Sequence, residues 1–168
     1  ASRLDFDLGQ TITLEAWVFP RSIPSGQYGV IVSKGRTGNQ GFEKENLNYS
    51  LRLKETDGVA LPNFLFRSRD DSSQQGAAAP KFHRWTSNIG FPVDSGWHHV
   101  AVSYTFGTTG SLRAYVDGNA VEGSWDMAGD TSNAPFVDND QLWIGSSQSH
   151  SFQGWMDEIA IYRKGLDR

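Results

Sequence analysis

The stretch GWHHVAVSY at residues 96–104, followed by LRAYVDG at 112–118, decides the fold. Apolar residues recur at every second position in both runs, which is the period of a strand that buries one face. Asp117 and Gly118 supply the two residues of positive φ that a type I′ hairpin turn requires. The two runs therefore predict strands joined by tight connections, and we expect an all-β protein.

Composition supports this expectation. The chain has 168 residues, with six Trp, ten Phe and 18 Gly, and it contains no long helical pattern.

This length suits one domain with a substantial core. The chain begins at Ala1 without a methionine or a hydrophobic leader, so we expect residues 1–168 to form a single domain of a larger protein. The absence of cysteine excludes disulfides and thiolate metal sites.

Charge argues against binding to nucleic acid, and hydropathy argues against a membrane span. The net charge is −4, with 15 basic and 19 acidic residues mixed along the chain, so no positive field attracts nucleic acid. No apolar run approaches the roughly 20 residues that cross a bilayer, so no membrane span is expected.

Short strand patterns continue along the whole chain. Ile12, Leu14, Ala16 and Val18 are expected on one face of a strand, and Trp17 and Phe19 on the other face. The runs around 49–53 and 64–66, separated by Thr56-Asp57-Gly58, predict a hairpin. Residues 70–80 are polar or small and are expected to form a surface loop. About ten such strands without crossover helices predict two packed antiparallel sheets.

Seven motifs in series resemble the laminin-G-like branch of the concanavalin A-like lectin/glucanase superfamily. They are TLEAWV at 13–18, IVSKG at 31–35, YSLRL at 49–53, GWHHVAV at 96–102, YVDG at 115–118, LWIG at 142–145 and FQGWMDEIAIY at 152–162. The resemblance implies an antiparallel two-sheet jelly-roll sandwich. It also implies an accessory module of a secreted or surface protein that binds carbohydrate or protein, often with structural calcium.

The sequence lacks the glucanase carboxylate pair, the serine nucleophile motif and a chelating histidine pair. Glucanases of this superfamily carry two carboxylates on one strand in a Glu-x-Asp-x-x-Glu pattern, but here Glu158 is followed by Ala160 at the second acidic position. No Gly-x-Ser-x-Gly elbow is present, and the adjacent His98 and His99 point to opposite faces of a strand, so they cannot chelate a metal together. We therefore expect a protein that is not an enzyme.

Calcium is the cofactor that the resemblance suggests, because hard cations take carboxylate and carbonyl oxygens. The Asp of the closing Gly-x-x-Asp-Glu motif often lies near the chain's beginning in the resembling family. By that resemblance Asp157 is the first candidate ligand, with Asp5 or Asp7 as a companion. Asp138 and Asp140 form a second candidate cluster, although Asp and Asn turns are also common without metal.

Sugar-binding sites commonly stack an aromatic ring on a sugar and fix its hydroxyls with polar side chains. Three tryptophans fit this pattern, two of them beside polar loops and the third on a strand face opposite its apolar neighbours. For each of the three taken singly, burial under a loop is the interpretation that the sequence favours more. The candidate ligand-binding residues are Trp85, Trp125, Trp143, His83, Arg84 and Asp126. Packing is the role expected for Trp17, Trp97 and Trp155.

These observations predict a non-catalytic carbohydrate-binding module of a larger secreted or cell-envelope protein. Its expected partner is a glycan or polysaccharide, and its expected location is extracellular, at the cell surface or periplasmic. The alternative is a structural or adhesion domain that contacts a protein partner or neighbouring domains of its own chain without binding glycan.

Overall fold

The computed structural model describes residues 3–69 and 81–166, and the loop expected at 70–80 lies outside these described residues. The described chain is built from twelve strands. They are β1 (Thr11–Ser22), β2 (Tyr28–Gly35), β3 (Leu47–Thr56), β4 (Val59–Arg67), β5 (Phe82–Ser87), β6 (Phe91–Pro92), β7 (His98–Thr105), β8 (Arg113–Val116), β9 (Asn119–Val121), β10 (Gly123–Met127), β11 (Leu142–Ile144) and β12 (Gln153–Tyr162).

The strands form two antiparallel sheets. The five-stranded sheet has the order β12-β1-β7-β8-β9. The seven-stranded sheet has the order β10-β5-β4-β3-β2-β11, with β6 paired to β4. Every strand pairing is antiparallel. The all-β, two-sheet architecture predicted from the sequence is therefore confirmed. Within the described residues, no helix is long and apolar enough to cross a membrane.

The core lies between the sheets and follows the alternation of the strands. On β1 the side chains of Ile12, Leu14 and Val18 are fully buried, and on β3 Leu51 and Leu53 are fully buried opposite them. Each such side chain contributes about 1.5–3 kcal/mol to folding relative to an exposed position. The residues that alternate with them face outward, so the outer face of each sheet carries side chains that the core does not need.

Both predicted hairpin turns are present. Asp57 and Gly58 have φ values of 51° and 80°, and Asp117 and Gly118 have φ values of 50° and 78°. The first pair connects β3 to β4 and the second connects β8 to β9. Positive φ at both central residues is the signature of the type I′ turn, whose twist matches that of the flanking strands.

One loop shapes the outer side of the seven-stranded sheet. After β11, residues 146–151 fold back, with an isolated bridge between Ser146 and Ser151 and a 2.7 Å hydrogen bond from Ser147 N to the His150 carbonyl. The Gly145 N–H donates to the Ile31 carbonyl of β2. This anchoring positions the loop beside the sheet as a wall.

Candidate functional site

A groove of about 300 Å³ lies on the outer face of the seven-stranded sheet, with the 146–151 loop as one wall. We call it the cationic groove. Its ionisable side chains are Tyr28, Arg36, Arg52, Arg84 and His150. Arg52 faces outward because it alternates on β3 with Leu51 and Leu53, whose side chains enter the core.

The Arg52 guanidinium lies at the base of the groove. Its Nε and Nη2 both donate to Asn63 Oδ1, and its Cζ lies 3.9 Å from the centre of the Tyr28 ring. The residue is only 8% exposed, and no carboxylate of the described residues forms a salt bridge with it. Burial, together with the nearby positive charges of Arg84 and Arg36, lowers the pKa of Arg52 to about 10. The guanidinium therefore stays charged at neutral pH without a salt bridge to a described carboxylate, although the negative charge of Asp126 acts on it from a distance. This arrangement favours an anionic ligand.

The other two arginines are partly neutralised. Arg84 Nε donates to Asp126 at 2.7 Å, and Arg36 lies 3.1 Å from Glu45. Burial raises the pKa of Asp126, but its bonds to Arg84 outweigh this effect, so the pKa is lower than usual. Arg84 also donates from Nη1 to the Tyr28 hydroxyl at 2.9 Å. This bond orients the phenol, so that its own proton is available to a ligand in the groove.

His150 approaches Tyr28 from the loop. The two ring centres lie 5.5 Å apart at an interplanar angle of 87°. His150 Nδ1 lies 2.8 Å from Ser149 Oγ, and Nε2 lies 3.1 Å from Gln27 Oε1. Burial, followed by the positive charges of Arg52 and Arg36, lowers the pKa of His150. The imidazole is therefore neutral at pH 7 and can accept a proton.

Two of the predicted ligand-binding residues belong to this site. Arg84 lines the groove, and Asp126 borders it through its ion pair with Arg84. Tyr28, Arg52 and His150 were missed. The outward position of Arg52 could have been predicted, because a charged residue that alternates with leucines on a strand faces away from the core. The position of His150 could not, because it depends on how its loop folds.

Three predicted binding residues lie elsewhere. Trp85 is 5% exposed and packs in the core, which corrects its expected exposure to a sugar. Trp125 is half-buried, with its ring centre 5.5 Å from that of Tyr104, and also packs against the core. His83 is buried, with Nδ1 2.8 Å from the Gly129 carbonyl. The inward face of β5 and neighbouring β10 therefore use these rings for packing.

Trp143, the remaining predicted ring, is half-buried on β11. Its Nε1 donates to Gln141 Oε1 at 3.2 Å. It lies on the same sheet as the cationic groove but does not line it.

The candidate calcium ligands are dispersed. Asp157 pairs with Trp17 across β12 and β1, whereas Asp5 is buried in an ion pair with Lys34 at 2.7 Å and Asp7 lies 3.3 Å from Arg69. Across residues 3–69 and 81–166, no group of three or more His, Cys, Asp or Glu side chains could hold a metal ion.

The second acidic cluster is part of a hydrogen-bond network. Asn46 Nδ2 donates to Asp138 at 2.6 Å and to Asp140 at 2.9 Å, and the Thr37 hydroxyl donates to Asp140 at 2.6 Å. Burial raises the pKa of Asp140, but the bonds from Thr37 and Asn46 outweigh it and lower the pKa overall. These carboxylates tie the loop before β11 to the connection between β2 and β3. Calcium binding stays a prediction.

A solved structure has a similar fold. The endo-β-1,4-glucuronan lyase of the fungus Trichoderma reesei superposes with a TM-score of 0.52 at 13% sequence identity, over 95% of this chain and 71% of that one. The likeness establishes the two-sheet fold.

This comparison corrects two expectations, namely that the chain is a non-catalytic binding module and that it is not an enzyme. A polysaccharide lyase has this fold, so the missing glucanase carboxylate pair does not make the sandwich non-catalytic. The error arose because only hydrolytic residue sets were sought.

No curated protein is similar enough in sequence to count as a relative. A family model described as the concanavalin A-like lectin/glucanases superfamily, however, matches residues 1–168. The motif series and the two antiparallel sheets agree with that match. The chain therefore belongs to the concanavalin A-like lectin/glucanases superfamily.

Proposed function

We propose that the cationic groove binds an acidic polysaccharide and cleaves it at a uronate residue by β-elimination. The observation that carries this proposal is the buried Arg52 guanidinium, which has no carboxylate partner among the described residues and lies beside Tyr28 and His150. A structural arginine at this depth would ordinarily be paired with an acid.

Binding would depend on the uronate carboxylate. Arginine presents a planar fork that matches a carboxylate, and charge-assisted bonds of this kind are about twice as strong as neutral ones. Arg52 supplies the charge that is not already neutralised, while Arg84 and Arg36 add to the positive potential. Phe82 and Met127 give the groove an apolar side against which the faces of the sugar rings can pack.

Elimination needs a base and an acid near one sugar residue. Pairing with Arg52 withdraws charge from the carboxylate and makes the adjacent C5 proton more acidic. Neutral His150 accepts that proton as the C5–H bond breaks, a C4=C5 double bond forms, and the C4–O4 bond breaks. The Tyr28 hydroxyl donates its proton to the departing O4. The proton that His150 accepted then returns to Tyr28 through solvent, so both side chains regain their starting states. Atoms and charge balance without water addition, metal or oxidant.

The glucuronan lyase supports the proposal at the level of fold, since a sandwich of this type carries out the same class of cleavage in another protein. Its substrate class guides the choice of the first polymer to test. A polysaccharide substrate is also consistent with action outside the cytoplasm, at the cell surface or in the surrounding medium.

The test is an absorbance assay for the conjugated double bond, run on β-1,4-glucuronan, polygalacturonate and alginate. Wild-type protein should produce the signal on at least one polymer. Tyr28→Phe keeps the ring over Arg52 but removes the donated proton, so the rate should fall about 10²–10⁴-fold. Tyr162→Phe makes the same chemical change at a residue bonded to Glu15 on the other sheet, and should leave the rate unchanged.

Two results would contradict the proposal. One is the absence of unsaturated product from all three polymers with folded protein. The other is equal activity of Tyr28→Phe and wild type, which would place the chemistry away from this groove.

A further inference from the structure

The outer face of the five-stranded sheet exposes large aromatic side chains. Trp155 is 54% exposed, Trp97 is 46% exposed and Trp17 is 38% exposed, and Phe19 is half-buried among them. We call these four residues the tryptophan face. The packing role expected for the three tryptophans is therefore wrong for the part of each side chain that is exposed to solvent. A cluster of exposed rings of this kind usually marks an interaction site.

The rings lie next to one another across neighbouring strands. Phe19 on β1 pairs with Trp155 on β12, and their ring centres are 5.2 Å apart. Trp97 precedes β7 and lies 6.1 Å from Phe19 on the other side. The Arg21 guanidinium stacks 5.7 Å from both Phe19 and Trp155. Arg21 therefore covers part of Phe19 and Trp155, while about half of the surface of Trp155 and of Trp97 stays exposed.

A small opening of about 340 Å³ adjoins the rings, and it is lined by Trp17, Trp97, Asp157 and Glu158. A β-bulge lies here, because the register between β1 and β12 shifts between Glu15 and Trp17, and Glu158 has a φ of 49°. The bulge brings two consecutive acidic residues to the same opening, although neighbours on a regular strand point to opposite faces. Neither acid forms a salt bridge with another described residue.

We propose that the tryptophan face binds a single chain of a neutral polysaccharide. Tryptophan rings offer broad apolar contact to the C–H faces of sugar rings at little entropic cost. Ionised carboxylates accept hydrogen bonds from sugar hydroxyls, which matches Asp157 and Glu158. Their negative charge repels uronates, so this surface selects a different part of a mixed polysaccharide from the part that the cationic groove takes.

The geometry favours this occupant over two others. The rings of Trp155 and Trp97 are inclined to Phe19 by 55° and 68°, so they do not form the flat platform that a crystalline polysaccharide surface requires. A second copy of the chain in a two-fold contact centred on this opening would bring the Asp157 and Glu158 carboxylates of both copies towards each other, and like charges oppose such a contact.

The test uses dissolved hexasaccharides of β-1,4-glucan, β-1,4-mannan and β-1,4-xylan as probes in titration calorimetry and in NMR of the indole N–H groups. At least one should bind and shift the signals of Trp97 or Trp155. Trp155→Ala and Trp97→Ala should each weaken that binding about tenfold, equivalent to roughly 1.4 kcal/mol of stacking. Both residues are exposed, so the variants should keep the wild-type melting temperature.

Two variants serve as controls. Trp143→Ala removes a half-buried tryptophan from the other sheet, and Arg52→Gln alters the cationic groove. Both variants should bind the neutral hexasaccharide as wild type does. This design separates the two surfaces, because loss of activity on acidic polymers leaves the neutral-sugar result intact.

Three outcomes would overturn the proposal. The first is that none of the three hexasaccharides binds. The second is that Trp143→Ala weakens binding as much as Trp155→Ala. The third is that light scattering detects a dimer that Trp155→Ala dissolves, which would assign the tryptophan face to a second copy.

Discussion

The outer faces of the two sheets differ in a way that the shared core does not explain. The cationic groove on the seven-stranded sheet keeps a charged Arg52 only 8% exposed, whereas the tryptophan face on the five-stranded sheet leaves Trp155 54% exposed. Folding alone favours the opposite arrangement, with charge in water and rings inside. Both departures from this rule coincide with the two surfaces that we propose to bind ligands.

The two faces also differ in the sign of their charge. Among the described residues, the groove gathers three arginines, of which Arg36 and Arg84 form salt bridges and Arg52 does not. The tryptophan face places Asp157 and Glu158 beside the rings, and its own Arg21 is paired with Asp94. A molecule with opposite charges on two sheets can contact acidic and neutral segments of one polysaccharide at once. The following predictions test whether the faces are independent.

The largest effect is expected for His150→Gln. The variant keeps a hydrogen-bonding side chain but loses the base, so kcat on the acidic polymer should fall about 10²–10⁴-fold with little change in KM. Steady-state kinetics would measure this, with neutral hexasaccharide binding as the internal reference. A large rise in KM at constant kcat would assign His150 to binding instead.

The next effect concerns affinity at the groove. Arg52→Gln should weaken binding of a glucuronate oligomer by about 10–100-fold, since a charge-assisted bond contributes roughly 1.5–3 kcal/mol. Lys54→Gln removes a positive charge from the same strand, outside the groove lining, and should change affinity far less. Equal losses in the two variants, measured by calorimetry, would mean that only the general positive field matters.

Salt should affect ligand affinity differently at the two faces. Raising the ionic strength screens charge, so affinity for the acidic oligomer should drop several-fold while affinity for the neutral hexasaccharide stays constant. Titrations at two salt concentrations measure both. Parallel weakening of the two ligands would show that they share one site.

The smallest effect is a pH shift. The positive charge of Arg36 contributes to lowering the pKa of His150, after burial and Arg52. Activity requires neutral imidazole, so it is lost as pH falls through that pKa. Arg36→Gln should raise the pKa and move the acid limb of kcat/KM to higher pH. Arg21→Gln, on the other sheet, should not move it; a limb that stays in place in Arg36→Gln would mean that another group controls it.

Much of the fold was predictable because strand period and turn chemistry are local. The alternation on β1 and the Asp117-Gly118 turn follow directly from neighbouring residues. The same alternation already placed Trp17 opposite the buried Leu14 and Val18, so its exposure could have been expected, but large rings were assigned to packing by default.

The site was harder to predict, for two physical reasons. β5 carries Phe82 on one face and Trp85 on the other, so hydrophobicity alone does not decide which face enters the core. His150 and Tyr28 are distant in sequence and meet only because the loop after β11 folds back beside β2. A contact of that kind depends on tertiary structure that no local pattern encodes.

Mass spectrometry of the products from a β-1,4-glucuronan oligomer tests the central claim most directly. Elimination adds no water, so the new non-reducing end should carry a double bond and be lighter by one water than a hydrolysis product. In the same reaction time Tyr28→Phe should yield far less of this product than wild type. Products that have gained water, or an oligomer left intact by the folded wild-type protein, would contradict the account.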